Sequence, residues 1–393
     1  MRKLLILFLS VCLSWEVTAE VLDTIPMVGL STTGIEDKLQ YKVQCHFPLK
    51  EMFAPEVKLL FLGDIMGHSP QIQSAYDRAK NRYHYRSVWE DVVPLFQQAD
   101  WTIGNLEVTL GGQPYTGYPT FSSPDALASS LIDAGVDVLL TANNHCLDRS
   151  KKGLIRTLNV LDSLGIRHTG TFRNVLDRRF SNLLILDKHG IRVGLLNYTY
   201  GTNGISTPND VIVNRIDTTQ IALDIKQARQ VHPSLDYLIL VLHWGNEYQQ
   251  YPSMSQKILA QWCFKQGVDA IIGSHPHVVQ PVVYYPETGH LVAYSLGNFV
   301  SNQRSYPKDG GLILQLHLIK NSTRTRVLNV GYKLTWVDKY IDSKGKWNYV
   351  VRCPICDSIS SPMTSMRQAK MKRYEYGISS FLKSTSQSVR DDF

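Results

Sequence analysis

Cysteine is scarce in this chain, charge is diluted, and long apolar runs are missing. Six cysteines in 393 residues are too few for a disulfide-stapled scaffold. Only Cys353-Pro-Ile-Cys356 has C-x-x-C spacing, and without a second such pair it does not make a zinc knuckle. It is expected to close a small disulfide that is structural or idle, because no strand-to-helix pattern surrounds it to support a redox role. Charged residues make up 19% of the chain and the formal charge is +7. That mild excess does not imply a nucleic-acid groove, and it would not repel an anionic polymer or a phosphorylated substrate. Past the N-terminus no stretch reaches the roughly 18 apolar residues of a membrane span. Internal repeats and low-complexity tracts are also missing. With 44% hydrophobic residues, the chain reads as globular and long enough for one large core or two domains.

The chain starts with Met1-Arg2-Lys3, an apolar run over 4–15 and then Val17-Thr18-Ala19. A basic start, an apolar run of about a dozen residues and a small-residue cleavage site read as a secretory signal over 1–19. The mature protein is therefore expected to be soluble and exported, to a periplasm or cell surface. Cys12 lies inside the apolar run behind Val11, which makes lipidation the minor reading. Residues 20–56 show no steady period and read as an extended leader. From Val57 strand-length apolar runs alternate with amphipathic stretches, with strands at 58–63, 101–106 and 136–141 and helices at 88–98, 124–134 and 151–164. Two strands joined by Lys188-His189-Gly190 follow, and the rhythm resumes with strands at 237–242 and 270–273 and helices at 218–230 and 253–266. The last strands, up to Trp336, have no helices between them. Two halves of βα units that each close into antiparallel strands predict an α/β domain over 57–336. It would be two mixed sheets packed face to face, with helices outside. Residues 337–393 read as a polar C-terminal extension with a basic helical segment at 363–383, dispensable for any site because they add nothing to the pattern below.

That pattern is a set of strand ends. The runs finish in Gly63-Asp64, Gly104-Asn105-Leu106-Glu107, Asn143-Asn144-His145, His243-Trp244-Gly245-Asn246-Glu247 and Gly273-Ser274-His275-Pro276-His277. Each has an ordinary structural explanation alone: Asp64 as a helix cap, Glu107 as a solvated turn, Asn144 as a side-chain turn, His243 as a satisfied interior histidine. Together they gather carboxylates, an amide and four histidines at the carboxyl edge of otherwise apolar strands. Burying so many polar groups side by side costs several kcal/mol unless something binds them, and divalent ions do. Alternation along an extended segment would turn His275 and His277 toward one pocket, and imidazole suits Zn, Fe, Mn or Ni.

These motifs, with Ser295-Leu296-Gly297-Asn298-Phe299, resemble those of the CapA-type capsule synthesis proteins. That family is linked with poly-γ-glutamate capsule biosynthesis and is similar in fold to the calcineurin-like metallophosphatases. The resemblance covers about 57–336 and implies a four-layer αββα sandwich with two divalent ions (Mn, Fe or Zn). It further implies that Asp64 and His277 hold one ion, Glu107 bridges, and Asn144, His243 and His275 hold the second. His145 would be the acid, and Asn298, Glu247 and Asn105 would meet substrate. Metallophosphatases usually begin with Asp-x-His, whereas here Met66 stands third. A thioether is a poor ligand for a hard cation, which leaves Glu247 or His68 to compensate.

Three readings follow. The chain is a metal-dependent hydrolase acting on a phosphoester or on an amide of an extracellular polymer, with capsule-synthesis membrane proteins as partners and no nucleic acid. Alternatively it is an assembly factor that binds an anionic polymer without turning it over, or an exported scaffold holding a structural ion.

Overall fold

The computed structural model describes residues 54–322, 324–354 and 362–391. The signal segment, nearly all of the leader, Cys12, Cys45 and Cys356 lie outside the described residues. Among the described residues no helix is long and apolar enough to cross a membrane.

Alternation in the first strand, Glu56–Ile65, sets the layering. Leu59 and Phe61 face one way and join a core shared with Val193, Leu195, Ile239, Val241 and Ile272. Leu60 and Leu62 face the other way and pack with Trp89, Leu127 and Leu131. Period-2 alternation of wholly apolar residues is what a strand buried on both faces requires. The strand Tyr237–His243 repeats the device: Ile239 and Val241 point into the shared core, while Leu238, Leu240 and Leu242 meet Ile221, Ile225 and Ala260 of the covering helices. The result is the predicted four layers, helix, sheet, sheet and helix.

One sheet has eight strands, in the order Trp347–Arg352, Thr325–Ile341, Gly310–Lys320, Glu56–Ile65, Trp101–Leu106, Val138–Leu140 and Arg167–Thr169, with Asn298–Val300 paired to the end of Glu56–Ile65. The other has six, in the order Val282–Tyr285, His290–Ala293, Ala270–Ser274, Tyr237–His243, Ile191–Thr199 and Leu184–Lys188. Both are mixed, and in each the central strands run parallel. The helices Thr218–Val231 and Met254–Lys265 start where Asp217 and Ser253 accept the backbone N–H of Gln220 and Gln256.

Four features differ from the sequence expectation. The helix expected over 88–98 is two one-turn helices, Arg86–Trp89 and Val93–Phe96; Pro94, in the first turn of the second, has no N–H to continue the first. The two halves of the chain do not each keep to one sheet. The hairpin Leu184–Thr199 opens the second sheet, and the late strands Gly310–Lys320 and Thr325–Ile341 return to the first, Gly310–Lys320 pairing antiparallel with Glu56–Ile65. The strand expected to end at Trp336 runs to Ile341 and is paired by Trp347–Arg352. Finally, the helix Ser365–Thr385 buries Met371, Tyr374, Ile378 and Leu382 in the core between the sheets. Arg352, fully buried, donates to Asp91 (2.9 Å) and to Asp338 (3.0 Å). Cys353 is disulfide-bonded.

Candidate metal centre

The carboxyl ends of the parallel strands of both sheets meet at one edge. Register places Asp64 beside Asn105 on one side and Asn298 on the other. In the second sheet His243 sits between Thr199 and Ser274. The Asn143-Asn144-His145 turn is tied across the gap: Asn197, on the second sheet, accepts the N–H of Ala142 (2.8 Å) and donates to Val241 O (3.1 Å).

Close backbone approach makes this packing possible. A Cβ on Gly273 would lie 1.9 Å from Tyr294 O and 2.5 Å from the Trp244 indole nitrogen. Gly273→Ala is therefore expected to destabilise the fold by roughly 3 kcal/mol and to lower metal content, because the displaced strand carries His275 and His277. Thermal melting and metal analysis would show it, and a variant with unchanged melting and metal load would refute the argument.

Beyond Ser274 the chain does not stay extended as the alternation argument supposed. His275 and His277 take φ values of +97° and +57°, and Tyr248, which donates its N–H to Pro276 O (2.8 Å), has φ +66°. Left-handed backbone at non-glycine residues costs about 1–3 kcal/mol each and persists where the surroundings impose it. Both imidazoles still reach one site, through two left-handed residues flanking Pro276 and not through alternation.

Asp64, Glu107, His243, His275 and His277 are all buried there. Ligand atoms of Asp64, Glu107 and His243 lie within 4.8 Å of one another, as do those of Glu107, His275 and His277. Glu107 belongs to both groups, the position of a bridging carboxylate. Its Oε1 is 3.6 Å from His243 Nε2 and 3.7 Å from His277 Nε2. Neighbours orient the rings. His243 Nδ1 is 2.9 Å from Ser274 Oγ, and its Nε2 is 2.9 Å from Asn144 Oδ1. His277 Nδ1 is 3.1 Å from both Asp64 Oδ2 and Asn298 Oδ1. Asn105 Nδ2 donates to Asp64 Oδ1 (2.8 Å). These distances bring Asp64 against His277 and Asn144 against His243, with Glu107 common to both ligand groups.

The electrostatics are those of a cation site. Both carboxylate oxygens of Glu107 and Nδ1 of His275 are buried without a hydrogen-bond partner. Desolvation, reinforced by the neighbouring Asp64, holds the Glu107 carboxyl well above its ordinary range. Desolvation keeps His243 well below the usual imidazole value and lowers His275 to about 3, so these rings are neutral and available as ligands. Clustered acid oxygens and neutral nitrogens, left unpartnered in the interior, are costly alone and suited to a divalent ion. The residues present fit such a group.

His145 stands beside the ligands with its Nδ1 2.7 Å from Asp148 Oδ2, and Phe121 packs edge-on to its ring at 4.7 Å. Asp148 escaped the sequence reading, and Ser274 and Asn143, whose side chain donates to Leu106 O (2.8 Å), stood in its motifs without a role. The Asn-His-x-x-Asp spacing of 144–148 was the available signal for Asp148. Glu247 is exposed and belongs to neither ligand group. Met66 is packed in the core under the helices, and His68 Nδ1 is occupied by Gln71 Oε1 (3.2 Å) and the N–H of Asn302 (3.3 Å). Neither His68 nor Glu247 belongs to either ligand group.

The family profile described as "Bacterial capsule synthesis protein PGA_cap" matches residues 58–303, and the chain belongs to this family. It is 27% identical to the capsule biosynthesis protein CapA of Bacillus anthracis, over 78% of this chain and 73% of that protein. It is also 27% identical to the PGA biosynthesis protein CapA of Bacillus subtilis (strain 168), over 67% of this chain and 68% of that one. Among solved structures, a calcineurin-like phosphoesterase from Bacillus subtilis is 15% identical, covering 84% of this chain and 99% of its own, at a TM-score of 0.43.

Proposed function

We propose that this chain is an exported, metal-dependent phosphoester hydrolase of capsule-polymer biosynthesis, acting on a phosphoester or on an anionic polymer that carries one. The observation that carries the reading is Glu107: a wholly buried carboxylate with two unpartnered oxygens, shared by two ligand groups. Asp64, Glu107, His243, His275 and His277 would hold two divalent ions (Mn, Fe or Zn), with Asn144 Oδ1 beside His243. Such ions supply Lewis acidity to a phosphoryl group and bring the pKa of water near neutrality.

The chain's own residues do the rest. Asn105, donating to Asp64, keeps that carboxylate turned toward the centre. Asp148 holds His145 Nδ1 and so leaves Nε2 as the nitrogen that can pass a proton to a departing oxygen. Asn298, whose Nδ2 donates to Lys308 O (2.8 Å), fixes His277 from behind. Export rests on the signal-like residues 1–19. The second reading, a polymer-binding assembly factor without turnover, is favoured by Met66, whose burial in the apolar core removes a ligand that metallophosphatases have.

His145→Ala is expected to leave metal content unchanged and to lower turnover of alkyl phosphodiesters by roughly 10² to 10⁴ fold, the usual cost of a lost general acid. The loss should shrink for p-nitrophenyl esters, whose leaving group departs without a proton. His243→Ala should lose metal. If His145→Ala empties the site as well, the division of roles fails; if the metal-loaded wild type turns over no phosphoester, the assembly-factor reading takes its place.

A further inference from the structure

Lys308 and Tyr248 form a second feature at the mouth of the centre that the hydrolytic machinery does not use. The Lys308 ammonium sits over the Tyr248 ring, 4.2 Å from its centroid. Among the described residues its side chain is in no ion pair, whereas Lys188 and Lys320 pair with Asp100 and Asp236. Tyr248 is 46% exposed, and its ring lies 6.1 Å from that of His277.

Both residues are rigidly mounted on the metal centre. The main-chain carbonyl of Lys308 accepts from Asn298 Nδ2 (2.8 Å), and Asn298 Oδ1 is 3.1 Å from His277 Nδ1. Tyr248 is held in the left-handed region by its N–H bond to Pro276 O, between the two histidines. Bulky residues avoid that conformation, and here it holds a half-exposed ring beside that of His277. Burial, together with the carboxylate of Glu247, which precedes it in the chain, pushes the Tyr248 phenol up to about 12. A lone cation on a fixed aromatic platform, within one side chain of a metal ligand, suits the recognition of an anionic group.

We infer that Lys308 and Tyr248 form a subsite for a second acidic group of the substrate, a carboxylate flanking the group held at the ions. This rests on the metal-centred reading above, and it adds that the preferred substrate is a carboxylate-bearing phosphoester and not a neutral one. Lys308 is a specificity residue in this scheme: it contacts the flanking carboxylate and not the reacting atoms.

The test uses the full chain loaded with manganese and two probes of one class, methylphosphonate and 3-phosphonopropionate, titrated calorimetrically. The wild type is expected to bind the carboxylate-bearing probe about 10-fold more tightly, the scale of one charge-assisted contact. Lys308→Met should erase that preference, and Lys308→Arg should keep most of it. A wild type without preference, or a Lys308→Met variant that weakens both probes equally, overturns the subsite. A preference in the wild type that Lys308→Met leaves intact overturns it too. Manganese content and methylphosphonate binding report separately on the centre: if they hold while the preference is missing, only the subsite fails. A Lys308-dependent preference without any turnover leaves the subsite standing and removes the hydrolase.

Discussion

Glu107→Gln is expected to abolish binding of both metal ions while leaving the fold intact. The side chain keeps its shape but loses the charge that both ligand groups share, so affinity for each ion should fall by more than about 100-fold, beyond the 10- to 100-fold cost of losing a supporting residue. No other carboxylate is shared by the two ligand groups, and Glu107 is wholly buried. The metal-free variant should melt within a few degrees of the metal-free wild type, since the substitution removes the repulsion from Asp64 that disfavours the Glu107 anion. Manganese at about 100 times its dissociation constant adds roughly 2.7 kcal/mol per site to a protein that binds only when folded. The wild type should therefore gain stability on adding metal and the variant should not. Metal analysis with melting curves decides it; a variant that retains one tightly bound ion would mean that Glu107 is not shared.

A chain ended at Asp338 is expected not to fold. The deletion removes Met371, Tyr374, Ile378 and Leu382 from the core between the sheets. At about 1.5–3 kcal/mol for each buried apolar side chain, that loss alone matches the roughly 5–15 kcal/mol of a typical domain. It also takes away Arg352 and leaves Asp91 and Asp338 as buried acids without that partner, where removing one member of a buried pair costs about 3–5 kcal/mol. Arg352→Met isolates the second effect. Circular dichroism and limited proteolysis would read both, and a truncated chain that melts cooperatively and holds metal would show the tail to be an appendage after all.

The cluster of acidic, amide and imidazole side chains was legible because of how parallel strands are built. Strands buried on both faces read as unbroken apolar runs, so the first polar residues after Leu62, Leu106, Leu242 and Ile272 stand out, and topology brings all such ends to one edge. The conformation of those ends was hidden. Nothing local announces that His275 and His277 are left-handed; the bond from Tyr248 to Pro276, made by a distant segment, imposes it. Asp148 was missed because it follows no strand, and its role depends on a turn that returns it to His145. The tail was misjudged for a related reason. Only four of the helix's 21 residues are buried, and a mostly polar, basic surface hides the fact that these four lie between two sheets. The crossing of Gly310–Ile341 to the first sheet is likewise decided by pairing across 250 residues of chain, not by the composition of the strands.

The donors divide by sheet. Asp64, Glu107 and Asn144 lie at or just beyond strand ends of the eight-stranded sheet and offer oxygen only, whereas His243, His275 and His277 lie at or just beyond strand ends of the six-stranded sheet and offer nitrogen only. Separately, the first set would favour hard ions such as magnesium or calcium and the second borderline ions such as nickel, copper or zinc. Only when the two sheets dock does the mixed coordination that suits manganese, iron or zinc exist. Under the proposed metal reading the choice of ion would rest on tertiary assembly, and a variant that loosens the contact between the sheets should change which metal the protein keeps before it changes how much.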